Sequence, residues 1–139
     1  MVPVPRTYPP LMADRRRAFS GSPYESSIGY CRAVRIGDRV LVSGTAPVFE
    51  DGSCPGDVGE QATRCVEIIL AALAELGAGP ADVVRTRVYL TSAADAEAVG
   101  VVHSRFLGDA RPAATMVVVA GLLDPRWKVE IEAEAVRGG

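Results

Sequence analysis

The chain has 139 residues, a net charge of −2, 48% hydrophobic residues and 23% charged residues. This composition fits one globular domain large enough to bury a core, and it excludes a disordered chain. The negative balance gives no general attraction for nucleic acid, whose binding needs phosphates neutralised by lysine and arginine, and no apolar run approaches the roughly 20 residues of a membrane span.

The first twenty residues, MVPVPRTYPPLMADRRRAFS, are broken by proline and carry their charges after the apolar part. That order is the reverse of a secretory signal, so the chain reads as cytoplasmic. Residues 1–24 hold five of the ten prolines and no hydrophobic period. They read as an extended N-terminal arm, packed on the body or on a neighbouring subunit, ahead of a domain at 25–139. The run Arg15-Arg16-Arg17 reads as a solvated flank. Cys31, Cys54 and Cys65 are odd in number and widely spaced, with no C-x-x-C, and His103 is the one histidine. No metal set and no disulfide framework is implied.

GYCRAVRI and RVLVSG flank Gly37-Asp38 and predict a hairpin. APVFEDGSCPGD is a loop. Asp57 and Glu60 have capping-box spacing, and Val58, Ala62, Cys65, Val66, Ile69, Leu70 and Leu73 form a helical stripe that Gly77 can stop. The next strand, DVVRTRVYLT, points Val84, Thr86, Val88 and Leu90 one way and Arg85, Arg87 and Tyr89 the other. A second helix fits 93–108, with Ala96, Val99, Val102, His103 and Phe106 inward. In RPAATMVVVAGLLDPRWKVEIEAEAV a first strand alternates Ala113, Thr115, Val117 and Val119 with Ala114, Met116, Val118 and Ala120. After a turn at Asp124-Pro125, Val129, Ile131, Ala133 and Ala135 face a core, and Glu130, Glu132 and Glu134 face away. The order is ββαβαββ, an α/β (α+β) fold with a single sheet and two helices on one face. The other face is expected to join Arg85, Arg87, Tyr89 and the three glutamates with Met116, Val118 and Val136, a mixture that suits a subunit interface.

GYCRAVRIGDRVLVSGTAPV, ADVVRTRVYLT and RPAAT…KVEIEAEAV together resemble the Rid family, also called YjgF, the reactive intermediate deaminases. The resemblance covers about residues 26–137 and lies in the combination of Ser-Gly, Pro-Ala-x-Thr and Glu-Ile-Glu-Ala. It implies a chorismate-mutase-like fold and a homotrimer whose sheets form a central β-barrel, with three ligand clefts between subunits. It also implies a small-molecule ligand and no cofactor, because deaminating members hydrolyse 2-imino or 2-enamino acids to 2-oxo acids and ammonia without one. In the family an arginine in Pro-Ala-Arg-Ser/Thr holds the substrate carboxylate, a pairing that supplies charge and orientation together. Carried over, Tyr30 matches a pocket-lining tyrosine, Gly44 a glycine whose backbone approaches the ligand, and Glu130 a glutamate linked to a water. The arginine position falls on Ala114. The chain is therefore closest to the subgroups that lack the arginine, which speaks against a standard 2-imino-acid deaminase.

Arg111 lies three residues from Ala114, before a proline and on a diverging path, and reads as a poor substitute. Arg32 follows Tyr30 by two residues and shares its strand face, so it is the alternative cation, or else a member of an interface or surface ion pair. Arg87 is expected to pair with Glu130 or Glu132 and so to hold Glu130 ionised, as a base. Glu130 is either that base or one of three interface carboxylates. His103 reads as a packed histidine, and Cys31 faces away from Tyr30. Ala114 and Met116 make the cleft roomier and more apolar, which favours a larger, less acidic ligand. Two readings stay open: cofactor-free hydrolysis or proton transfer on an imine or enamine, with Glu130 acting and Tyr30 and Arg32 orienting, or a non-catalytic trimer that binds a small molecule or regulates a partner. RNA cleavage has neither a basic groove nor a His/Lys pair behind it.

Overall fold

The computed structural model describes residues 15–138, so most of the expected arm lies outside the described residues. β1 (Arg16–Ala18), β2 (Ala33–Ile36), β3 (Arg39–Thr45), β4 (Val83–Leu90), β5 (Ala113–Val118) and β6 (Val129–Val136) form one sheet. Across it they run β1-β2-β3-β6-β4-β5. Only β4 and β5 are parallel neighbours. α1 (Val58–Glu75) and α2 (Ala96–Leu107) supply the helical layer. This is the expected ββαβαββ order with β1 added at one edge. Arg16 and Arg17 keep solvated side chains, but their backbone pairs with β2, and Ala18 is buried opposite Ala33.

The predicted stripe of α1 is the core: Val58, Ala62, Cys65, Val66, Ile69 and Leu73 are all buried. Asp57 caps the helix by accepting from the Glu60 N–H at 3.0 Å. At the other end Gly77 takes φ +82, the left-handed stop. Arg35 of β2 and Arg137, just past β6, reach this end: Arg35 Nη1 donates to the Leu76 carbonyl at 3.3 Å and Arg137 Nε to the Gly77 carbonyl at 2.7 Å. Both place positive charge on the negative end of the helix dipole. A Cβ at Gly77 would lie 3.2 Å from Arg137 Nε. Gly77→Ala is therefore expected to cost about 1–2 kcal/mol in backbone strain alone, read as a lower denaturant midpoint at unchanged slope.

Two strand readings are corrected. In β4 the register against β6 shifts between Val83 and Arg85. Val83 is buried, and Val84, expected in the core with Thr86, is 44% exposed. A one-residue bulge does this, and it leaves no mark on alternation. In β5, Ala114, Met116 and Val118 are the partners of Thr86, Val88 and Leu90. They therefore share the helix side of the sheet, and Ala113, Thr115 and Val117 share the open side with Arg85, Arg87 and Tyr89. This reverses the expectation that Met116 and Val118 join the Arg/Glu face. The strand lies at the edge, exposed along its whole length, so no burial contrast separates its two sides.

Candidate functional site

A second bulge builds the first part of the site. Val42 pairs with Ala133 and Thr45 with Ile131, so three steps along β3 match two along β6. Gly44 sits in this bulge. A Cβ there would lie 2.7 Å from Glu130 Oε2, so the missing side chain makes room for the Glu130 carboxylate. Arg32 closes the group by donating from Nη2 to the Gly44 carbonyl. Its own backbone extends the sheet, with its N–H on the Ala18 carbonyl at 2.8 Å and its carbonyl accepting from Ser43 N–H at 3.0 Å. Its Nε is buried with no partner among the described residues.

Burial pushes the Glu130 carboxyl above its ordinary value; Arg32 opposes the rise and Glu132 adds to it. Of its two expected partners Arg87 takes Glu132, and so it does not hold Glu130 ionised. It pairs with Glu132 at 3.8 Å and Glu134 at 3.7 Å. The register decides this, because Glu132 stands opposite Arg87, whereas Glu130 stands opposite Tyr89. The Tyr89 hydroxyl turns away from Glu130 and donates to Glu132. Arg39 joins Glu134 at 3.4 Å. Glu130 is thus left with one nearby cation and no hydrogen-bond partner among the described residues, an acid–base group open to a water or a ligand.

Tyr30 follows a short π-helical turn, Glu25–Gly29, with extended backbone and its N–H on the Glu25 carbonyl at 2.9 Å. The turn is pinned by the buried Glu25 side chain. Burial works against its charge, but the Ser20 hydroxyl and the Ser20 and Gly21 N–H groups hold its carboxyl below the ordinary range. Tyr30 is half-buried beside this turn, and it makes no hydrogen bond to Glu130.

Ala114 and Met116 lie elsewhere. Ala114 neighbours Thr86, whose hydroxyl shares a 2.8 Å hydrogen bond with His103 Nε2. His103 is half-buried, and burial lowers its pKa, the packed histidine expected. Thr86 and Tyr89, the partners of Ala114 and Glu130, are three residues apart on β4 and face opposite sides. Strand rise and spacing put Ala114 and Glu130 about 14 Å apart, with the sheet between them. One chain therefore carries two half-sites: Arg32, Gly44 and Glu130 on the open face, and Ala114 and Met116 on the edge strand.

Gly44→Ala tests the close approach. The methyl would meet only the tip of a flexible side chain, so the stability loss is expected to stay below about 1 kcal/mol. The Glu130 carboxyl should nevertheless move, seen as a changed titration midpoint of its side-chain NMR signal.

Gln61 is the positioning group that the sequence reading missed. Fully buried, it donates to the Pro55 carbonyl at 2.7 Å and the Arg126 carbonyl at 2.9 Å, and it accepts from Lys128 N–H at 2.8 Å. It thereby ties α1 to both loops beside the start of β6, two residues before Glu130. A signal existed: an amide inside an otherwise apolar stripe, one turn after Val58.

A family model described as Endoribonuclease L-PSP matches residues 22–137. An uncharacterised protein of Streptomyces coelicolor is 44% identical over 124 residues, 88% of this chain and 92% of that protein. The crystal structure of a Mycobacterium tuberculosis member of the YjgF/YER057c/UK114 family superposes with a TM-score of 0.81 at 43% identity, over 88% of this chain and 98% of that one. The chain belongs to the Rid/YjgF family. Its mixed α+β architecture, one sheet under two main helices, is the Rid/YjgF fold. Escherichia coli TdcF, crystallised with bound serine, is 30% identical, with a TM-score of 0.75 over 88% of this chain and 94% of that one. Among the described residues no helix is long and apolar enough to cross a membrane.

Proposed function

We propose that this Rid/YjgF chain takes a small imine, enamine or related reactive metabolite into clefts between copies of itself, and hydrolyses it or moves a proton on it without a cofactor. One observation carries the reading: Glu130, half-buried and without a hydrogen bond among the described residues, waits on an open face with Arg32 and Gly44, with the edge-strand half-site on the far side of the sheet. A second copy laying its β5 against this face would bring the two halves together, and a trimer closes such a ring. The exposed Met116, Val117 and Val118 support an interface there. Two concavities of the single chain, about 440 Å³ beside Phe49 and Arg64 and about 350 Å³ beside Phe19 and Glu25, include neither Glu130 nor Ala114. A serine-bound relative is in keeping with a small polar ligand.

In this reading water adds to the C=N carbon. Both of its protons pass in turn through Glu130 to the nitrogen, which leaves as ammonia while the carbon becomes a carbonyl. Arg32 and Tyr30 orient the ligand. Ala114 leaves the cleft wider than a pocket for 2-aminoacrylate, so the natural ligand is larger.

The test is ammonia release from 2-aminoacrylate by the wild type and by Ala114→Arg. The arginine variant is expected to run at least about tenfold faster, the size of one charge-assisted carboxylate contact. If neither protein exceeds the reaction in free solution, imino-acid deamination is excluded and a non-catalytic binding trimer is favoured. Light scattering that finds a 14.6 kDa monomer would remove the shared cleft.

A further inference from the structure

The segment leading into β5 holds a strained residue. Arg111 has φ +48, and among the described residues no other non-glycine takes a positive φ. Its N–H donates to the Leu107 carbonyl at 3.2 Å and closes the end of α2. Glycine or asparagine is the usual residue at such a place. A left-handed residue with a Cβ costs about 1–2 kcal/mol, and strain of this kind gathers at functional sites. The Arg111 side chain is exposed and makes no hydrogen bond or ion pair among the described residues. Folding alone would be served better by glycine.

A second arginine stands close by. Parallel pairing sets Arg85 beside Ala113, two residues from Arg111. On the open face Arg39 and Arg87 share Glu132 and Glu134. Arg85 lies opposite Glu134 in register, yet it makes no ion pair among the described residues. Adjacent strands are about 4.8 Å apart and two residues span at most about 7 Å, so the two backbones lie within about 9 Å, a gap that two arginine side chains can bridge around one anion. Two such guanidiniums repel until an anion sits between them, and their planar donor sets match a carboxylate.

We infer that Arg111 and Arg85 bind a carboxylate of the ligand at the head of β5, an anion anchor displaced from the position held by Ala114. This rests on the proposed reading of the site and sharpens it: the imine, or its carbonyl product, bears a carboxylate.

The test is a binding titration of the assembled protein with stable carbonyl probes in matched pairs: 2-oxobutanoate against butanone, and 4-oxopentanoate against 2-pentanone. The wild type is expected to favour the acid of at least one pair. Arg111→Gly should hold or raise the melting temperature, because glycine relieves the strain, and should weaken acid binding at least about tenfold with ketone binding unchanged. Arg85→Gln should weaken acid binding in the same sense, and the Arg NMR signals of both residues should shift on titration. A wild type that binds neither acid better than its ketone overturns the inference, as does an Arg85→Gln, Arg111→Gly double variant that binds the acids as tightly as wild type. Ammonia release judges the catalytic reading separately, so one can fail and leave the other standing.

Discussion

Glu130→Gln is expected to raise the melting temperature at neutral pH and, on the proposed reading, to cut turnover. The Glu130 carboxyl is lifted above its ordinary value of 4.5, chiefly because burial disfavours its charge. A group with a raised pKa takes up protons on folding. Its contribution to stability is full below about pH 4.5 and is lost as pH rises through the lifted value. Glutamine keeps the shape and carries no such cost. The advantage of the variant should therefore open as pH rises from about 4.5 and persist on the alkaline side, in calorimetric scans at about pH 4, 6 and 8. Turnover of any imine substrate should fall by roughly 10²–10⁴-fold, the usual worth of an acid–base group. A variant less stable than wild type at every pH would make Glu130 a structural carboxylate.

Gln61→Ala is expected to lose about 3 kcal/mol of stability. Among the described residues the change leaves the Arg126 carbonyl and the Lys128 N–H without partners and the Pro55 carbonyl with only the Cys54 thiol, and it opens a cavity under α1. Gln61→Met keeps most of the volume and isolates the polar part, about 2 kcal/mol. Gln61→Glu keeps the acceptor for Lys128 but turns an oxygen toward two carbonyls, so it should be no better. Denaturant unfolding measures the loss, and amide exchange at Lys128 reports whether the start of β6 loosens. An unchanged exchange rate at Lys128 would separate Gln61 from the positioning of Glu130.

Most of the fold was legible because its elements repeat short-range signals. The stripe from Val58 to Leu73, the Asp57 cap and the Gly77 stop are written within one or two helical turns, and all are present. The family resemblance likewise rests on short motifs that the comparisons support. What escaped was register between distant strands. Alternation puts Val84 inward because it assumes an unbroken ladder, and a bulge breaks the ladder without any change of composition. The sides of β5 were reversed because six small or apolar residues in a row look alike from both faces. Arg87 was matched to the right kind of partner, but only the pairing of β4 with β6 says which carboxylate it meets. The same limit hid the separation of Ala114 from Glu130. Both were named from motifs, and no motif records that a sheet lies between them.

The place of β6 has a consequence for how this protein is made. Among the described residues it follows every other strand of the sheet, and it joins β3 to β4. As the polypeptide leaves the ribosome, the β1–β2–β3 sheet and the parallel β4–β5 pair emerge as two unlinked pieces, each with an open hydrogen-bonding edge. The turn that ends α1 also waits for Arg137, just past β6, to cover the Gly77 carbonyl. Such long-range closure is slow, and nascent chains stalled before residue 129 carry two aggregation-prone edges at once. Dependence on chaperones should therefore peak in those chains and fall sharply once β6 is free to slide between its neighbours.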